Sequence, residues 1–592
     1  MDYIKLTDYY QQLEKTSKRL EKTYIISQLL KEVKKEDNPE YIINLIRGRV
    51  FPTWEQRKIG VSDKIIIKAL ATSTGISKDK IEKMFAKIGD LGDVAQEITK
   101  NKKQTTLHTK KLTCELVYKK IRDLAELEGE GTVNKKVGLM SELLTSASPM
   151  EARFVVRTIL EQLRIGAAEG TLRDAIVWCF FGDKLKIKYN KEKNEIELSD
   201  ETKKEYDIFL EKVQHAYDLT NDFAEIFRII KEEGITGLDK ITLKAGKPIN
   251  VMLFQKVKDL KEAFEVVGTP LALEYKIDGF RLQIHCNNGK ITLYTRRLEN
   301  VTKQFPDVVD AAKQGIKSEN YIIDTEVIGI DTKTKKWLPF QNISQRIKRK
   351  YNIERTVKEI PVMVNVFDII SYNNESLLDA PFHRRRHIIE KIVKIIPDKI
   401  QPIKQIVTDK EDVAEKFYKE SLSLGNEGIM AKNLESIYKP GSRVGYGVKI
   451  KPILETLDLV IVKAEYGEGK RAGWLSSYTV ACWDKKKEKL IEVGKVSTGL
   501  KEKEEQGTTF EELTKLLKPL IEKQEGKEVI VKPKIIIEVA YEEIQKSPEY
   551  TSGFALRFPR VMRLRVGDKP IKEVNTIEDL EKIYDEQRSR DK

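Results

Sequence analysis

The sequence predicts a multidomain protein of three successive textures: a helical first part, a mixed α+β middle and a β-rich end. Three observations carry this reading. Up to about residue 240, apolar residues recur at i, i+3 and i+4, as in helices with one buried face. Around Gly246-Lys247-Pro248 the pattern gives way to short β-rich runs alternating with helices. From Leu457 it is almost wholly short strands between Gly- and charge-rich turns. A chain of 592 residues is too long for one core. Domains at 1–243, 244–452 and 453–592 are therefore expected.

In the first part the spacing predicts helices over 9–20, 25–33, 113–127 and 152–163. Ser148-Pro149 before Met150-Glu151 reads as an N-cap with proline at the first helical position. Arg164-Ile165-Gly166-Ala167-Ala168-Glu169-Gly170-Thr171 then forms a Gly-bearing connector between two helices. Such a connector suits approach to nucleic-acid phosphates, and equally a plain C-cap glycine in a helical bundle. A short hairpin is expected at Lys193-Asn194. In the middle part, strands are predicted at 271–275, 282–286, 291–295, 321–330 and 362–370. At the end, strands are predicted at 459–464, 478–482, 490–493 and 535–540, with one helix near 510–522. Short strands and a helix in that length suit a small barrel such as an OB-fold. There is no internal repeat or low-complexity segment.

Composition narrows the function. No apolar run is long enough to span a membrane, and the first twenty residues are polar and charged, so a cytoplasmic protein is expected. Cys114, Cys179, Cys286 and Cys482 lie far apart without a C-x-x-C pair, which argues against a zinc module or a disulfide framework. Any metal is expected to be a hard, carboxylate-held ion such as Mg²⁺. The net charge is +14, with most of the excess after residue 240, which makes a polyanionic partner plausible. Abundant Lys, Glu and Ile suit a thermophile.

The most informative stretch is Glu274-Tyr275-Lys276-Ile277-Asp278-Gly279-Phe280-Arg281. An ordinary lysine ammonium, with a pKa near ~10.4, is no nucleophile at pH 7. A chemistry that uses it covalently needs cationic neighbours or desolvation and an electrophile held still. The same octapeptide also suits a hairpin turned by Asp278-Gly279. Further segments follow in order: Tyr294-Thr295-Arg296-Arg297, Asp324-Thr325-Glu326-Val327, Val366-Phe367-Asp368-Ile369, Asn426-Glu427-Gly428-Ile429-Met430-Ala431-Lys432, and Gly441-Ser442-Arg443 leading into Val448-Lys449-Ile450-Lys451. Singly, each has an ordinary reading. Phe367 suits a core, Asp368 a strand cap, and Lys449 with Lys451 a solvated strand face. Together and in this order they are specific.

The series resembles the motifs of the covalent nucleotidyltransferases, which include DNA ligases, RNA ligases and mRNA capping enzymes. Over nearly the whole chain it is similar to replicative ATP-dependent DNA ligases of archaeal and eukaryotic type. Arg164-Ile165-Gly166 resembles part of their helical DNA-binding domain, and Ser547-Pro548-Glu549-Tyr550-Thr551-Ser552-Gly553-Phe554-Ala555-Leu556-Arg557-Phe558-Pro559-Arg560 a C-terminal signature. The resemblance implies an all-α DNA-binding domain, an α+β adenylation domain and a C-terminal OB-fold. It implies sealing of 5′-phosphate/3′-hydroxyl nicks through an AMP-lysine and adenylated DNA, in replication, repair and recombination. Lys276 would be the adenylated residue, Glu274 and Phe367 would meet adenine, and Arg281 and Arg296 ribose and phosphate. Glu326 and Glu427 would hold Mg²⁺ or Mn²⁺, with Glu326 also facing the nucleotide. Arg443, Lys449 and Lys451 would neutralise the triphosphate, and Arg164 and Gly166 would approach DNA. Arg557 and Arg560 lie in the C-terminal signature.

Two departures stand out. The family's usual Arg-x-Asp-Lys has one extra residue here, in Arg565-Val566-Gly567-Asp568-Lys569, which loosens the expectation that Asp568 and Lys569 orient pyrophosphate. Relatives reach a sliding clamp through a Gln-rich peptide with aromatic anchors, whereas Lys103-Gln104-Thr105-Thr106-Leu107 lacks the aromatics and equally suits a loop. The expected partners are ATP and nicked duplex DNA, met by a monomer. A capping enzyme or RNA ligase would share Lys276 but not the long helical part. A bacterial-type NAD⁺-dependent ligase would carry a four-cysteine zinc module. A non-catalytic scaffold would not need lysine, carboxylates and basic residues together.

Overall fold

The computed structural model describes the chain except residues 53, 56, 101–110, 128, 130, 335, 339–342, 344, 345, 348–351, 442, 453–455, 468–470, 472, 503–507, 566–569 and 590–592. Its contacts sort the chain into two units. The first comprises Met1–Ile81, Leu91–Glu415 and Ile429–Ile450, the second Glu82–Asp90, Lys416–Gly428 and Lys451–Lys592.

The first unit opens with helices packed on buried Tyr3, Tyr10, Leu29, Phe154 and Phe227. The helix expected over 9–20 is two helices, Tyr3–Glu14 and Arg19–Val33. Thr16 separates them: its hydroxyl oxygen accepts from the Lys18 amide and its O–H donates to Glu21, a local alternative to helical hydrogen bonding. Pro149–Ile159 begins on the Ser148 cap, and Glu151 completes a capping box. It stops short of residue 163 because Glu161 and Arg164 take left-handed backbone, at φ 55° and 59°. The expected hairpin joins β1 (Lys188–Asn190) to β2 (Glu195–Glu197). Asn194 turns it at φ 54°, a conformation that Asn tolerates.

Strands then follow in the mixed region: β3 (Leu253–Val257), β4 (Leu271–Lys276), β5 (Phe280–Asn287), β6 (Lys290–Thr295), β7 (Asn320–Ile330) and β8 (Trp337–Leu338). After them come β9 (Val362–Tyr372), β10 (Glu375–Ser376), β11 (Ile400–Pro402), β12 (Gln405–Thr408), β13 (Gly428–Asn433) and β14 (Arg443–Ile450). They form two sheets. One runs β12-β4-β13-β14-β3. The other runs β10-β9-β7-β5-β6, with β8 on β7 and β11 on β9. Helices Pro306–Gly315 and Phe382–Ile392 bury Val308, Ala312 and Ile389 with Leu282, Ile284, Ile323 and Val364 of the second sheet. Burying these side chains is the main driving force for the region.

Two expectations change here. Asp278-Gly279 turns no hairpin, because β4 and β5 belong to different sheets and the chain crosses between them over 277–279. Gly279 permits that path: a Cβ there would stand 2.5 Å from the Val327 carbonyl oxygen of β7. The alternation of Lys449 and Lys451 along one strand is also cut short. β14 ends at Ile450, since Pro452 has no amide to extend the ladder.

In the second unit the strands are β15 (Leu457–Tyr466), β16 (Leu475–Asp484), β17 (Lys489–Val496), β18 (Ile521–Glu525), β19 (Glu528–Val531), β20 (Ile536–Ala540), β21 (Glu543–Lys546), β22 (Phe554–Arg557) and β23 (Arg560–Leu564). The long β15 pairs with β16 on one edge. On the other it pairs with β20 along its first half and β19 along its second. Dividing one strand between two partners curls the sheet around a core of Leu459, Tyr478, Val493, Leu513 and Val539, consistent with an OB-fold. The helix expected over 510–522 is Phe510–Leu517. Pro519 ends it and the chain continues into β18.

Candidate active site

Lys276 is the last residue of β4, half-buried, where the chain leaves one sheet for the other. Two residues earlier on the same face lies Glu274, which is 1% exposed. An isolated carboxylate there would be costly. Glu274 instead sits 2.6 Å from the Lys432 ammonium of β13 through Oε2, and its Oε1 accepts from the Gln405 amide of β12 at 2.9 Å. All three strands are neighbours in the first sheet.

The second sheet supplies Phe367 from β9, half-buried. The Lys432 Nζ and the Arg281 guanidinium each lie 5.1 Å from its ring centroid, within range of a cation–π attraction. Lys432 is therefore where the two sheets meet, its ammonium on Glu274 and over the rings of Phe367 and Phe382.

Arg281 on β5 has a full set of partners. It forks onto Asp324 of β7 at 2.5 and 3.4 Å, donates to the Met252 carbonyl at 2.8 Å, and meets the Tyr438 hydroxyl at 3.2 Å. Tyr438 in turn donates to Asp324 at 2.6 Å. Burial opposes the Arg281 charge, but Asp324 beside it raises its pKa above the ordinary arginine value. Burial, with Asp324 adding to it, likewise pushes the Tyr438 hydroxyl well up, so it remains a donor. Glu326, on the same strand as Asp324, is half-buried and lies opposite Arg281 in the ladder. Arg296 is exposed just beyond β6. Asp368 caps no strand. It pairs with Arg385 at 2.7 Å, both side chains being fully buried.

Lys449 is half-buried on β14, opposite Met430 of β13. Arg443 begins that strand, and its side chain lies outside the described residues. In the second unit, Lys451 stands 3.0 Å from both Glu427 and Glu542. Burial works against its charge, and the two carboxylates raise its pKa nonetheless. Arg557 pairs with Glu543 at 2.9 Å and lies 3.8 Å from Glu427, while Arg560 is exposed. Asp568, Lys569 and the 103–107 stretch lie outside the described residues. In the helical part, Arg164 and Gly166 are exposed on the connector, and Lys22 donates to the intervening Ile165 carbonyl at 2.6 Å.

Sequence reasoning missed Gln405, Arg385 and Tyr438 as members of this network. None carries a local signal, because each acts through a strand or helix far away in sequence. The four cysteines are buried and free. Among the described residues no three His, Cys, Asp or Glu side chains gather as a metal cage, and no helix is long and apolar enough to cross a membrane.

The site is thus a strand-end lysine at the junction of two sheets, after a helical part and before a small barrel. The model of the ATP dependent DNA ligase domain matches residues 251–451, that of the DNA ligase N terminus residues 2–177, and that of the ATP dependent DNA ligase C terminal region residues 471–568. A curated DNA ligase of Nanoarchaeum equitans (strain Kin4-M) is 47% identical over 590 residues, covering 99% of each chain. One from Thermococcus onnurineus (strain NA1) is 41% identical over 585 residues, covering 99% of this chain and 98% of its own. A solved structure, Pmar-Lig_Pre., shares the fold at TM-score 0.58 and 15% identity, covering 95% of this chain and 99% of that one. The chain belongs to the ATP-dependent DNA ligase family.

Proposed function

We propose that this protein seals 5′-phosphate/3′-hydroxyl nicks in duplex DNA in three steps. The Lys276 amine gives up a proton and attacks the α-phosphate of ATP. A phosphoramidate N–P bond forms and pyrophosphate leaves. AMP then passes to the 5′-phosphate of the nick, and the lysine recovers its proton. The adjacent 3′-hydroxyl attacks that phosphate, loses its proton and expels AMP.

The observation that supports this best is the placement of Lys276 at the sheet crossover, beside buried Glu274 and within a family of known type. Glu274 and Phe367 would receive the base, since an aromatic face stacks on any base. Arg281, Arg296, Glu326, Arg443, Lys449 and Lys451 would line the ribose and phosphates, because phosphoryl transfer is chiefly positioning and charge stabilisation. Arg281 reaches that role already braced by Asp324. Glu326 and Glu427 would hold Mg²⁺ or Mn²⁺, which supplies charge neutralisation on the phosphates; such ions commonly use one or two carboxylates plus substrate oxygens. The helical residues 1–243, including Arg164 and Gly166, and the barrel at 453–592 would grip DNA, with an adenylation domain at 244–452. Arg557, Arg560, Asp568 and Lys569 would belong to the barrel's share of the site.

The test is incubation with α-labelled ATP and a divalent metal, followed by nicked DNA. Label is expected on Lys276 and then on the DNA 5′ end, and Lys276→Ala is expected to carry none. Label that persists in that variant, or that passes from GTP to RNA ends, overturns the reading.

A further inference from the structure

Three residues of β5, Arg281, Gln283 and His285, share one face of the strand. Arg281 is braced by Asp324 and Tyr438, and His285 meets Gln283; beyond these contacts all three reach the same stretch of main chain. They hold the backbone of the segment that connects the helical part to β3. The Gly246 N–H donates to His285 Nδ1 at 3.1 Å. The Gln283 amide nitrogen donates to the Ile249 carbonyl at 2.9 Å, and its oxygen accepts from the Ile249 N–H at 3.3 Å. Arg281 donates to the Met252 carbonyl at 2.8 Å.

The hydrogen-bond directions are mutually consistent. With Nδ1 accepting from Gly246, the other imidazole nitrogen carries the proton and donates to Gln283 Oε1 at 3.2 Å. Tyr294 of β6 donates to the Gly246 carbonyl at 2.6 Å, so both sides of that glycine are held. Gln283 and His285 are each 1% exposed. Buried polar side chains on a sheet face are costly unless every group is matched, and here the match is to a connector.

The other side of the same connector is held by the helical part. Asn221, ending the helix Asp200–Thr220, donates to the Pro248 carbonyl at 3.1 Å and accepts from Asn250 at 2.5 Å. Lys247 pairs with Glu225 at 3.1 Å. Ile249 and Met252 are buried with Leu219, Ile322 and Tyr438. Residues 246–252 are thus a fastened seam with the helical part on one side and β5 on the other.

Resting on the ligase reading above, we propose that Gln283 and His285 are positioning residues. They transmit the placement of the DNA-gripping helical part to the strand that carries Arg281, and so serve the DNA-dependent steps rather than lysine adenylation. Neither is expected to touch ATP or DNA.

The experiment uses the full chain as wild type, Gln283→Leu, His285→Leu and His285→Asn. Two rates are measured for each: labelling by α-labelled ATP, and single-turnover sealing of nicked DNA by pre-adenylated enzyme. Both leucine variants are expected to label within about twofold of wild type while sealing falls about tenfold, the scale of coupling through a packed network. His285→Asn, whose Oδ1 stands where Nδ1 accepts from Gly246, is expected to seal near the wild-type rate. Equal loss in both rates, no loss in sealing, or failure of asparagine to restore it would overturn the positioning role. Absence of label in wild type would instead overturn the ligase reading itself.

Discussion

Asp368 and Arg385 show how much one side chain can decide. Arg385 donates to Asp368 and also to the Ala380 and Ser436 carbonyls, so a buried cation is surrounded by acceptors. Removing the Asp368 carboxylate leaves that charge uncompensated, which typically costs about 3–5 kcal/mol. Asp368→Asn is accordingly expected to lower the free energy of unfolding, measured by urea titration, by an amount of that order. His285 makes a different prediction. Burial lowers its pKa from the ordinary histidine value near 6.5 to about 3. The folded form is therefore neutral where the unfolded form binds a proton, and stability is lost as pH falls from 6.5 toward 3. One such proton contributes at most about 1.4 kcal/mol per pH unit. Between pH 6 and 4, His285→Asn is expected to lose less stability than wild type by that slope, measured by denaturation at each pH.

At the scale of elements, the sequence shows what repeats and hides what crosses. Helix periodicity, the Ser148 cap and the strand runs of β4 to β7 and of β9 were legible because each is a local pattern. So was the order of the site segments along the chain. The crossover at 277–279 was not, since Asp-Gly between two apolar runs is also how a hairpin is written. The difference lies in Gly279, whose missing side chain lets the chain pass Val327. Gly279→Ala would press a methyl group on that carbonyl, and overpacking of this kind commonly costs about 1–3 kcal/mol. The expected outcome is a lowered melting temperature together with slower ATP labelling of Lys276, because the two sheets can no longer take the same register. Gln405, Arg385 and Tyr438 were hidden for a related reason. Their partners Glu274, Asp368 and Asp324 lie on strands brought near only by the completed sheets.

For the whole molecule, the charge balance sets how the reaction responds to solution. The net charge is +14, and DNA phosphates are bound largely through counterion release. A surface meeting roughly six to ten phosphates loses on the order of 10³-fold or more in affinity between 50 and 200 mM salt. Binding of nicked duplex is expected to fall on that scale in a titration. Labelling of Lys276 by ATP, a small ligand held by neighbouring groups, is expected to change far less. A parallel fall in both would mean that the basic excess serves the nucleotide instead.

The crossover that carries Lys276 also limits motion. Only Ile277, Asp278 and Gly279 separate it from Phe280, the first residue of the other sheet's β5. Four consecutive Cα steps can reach no more than about 14 Å when fully extended. The two sheets are tethered at the lysine and again at Ile403-Lys404, which join β11 of one sheet to β12 of the other. Lys276 lies beside the first of these links, so the sheets cannot part at the nucleophile by more than that reach.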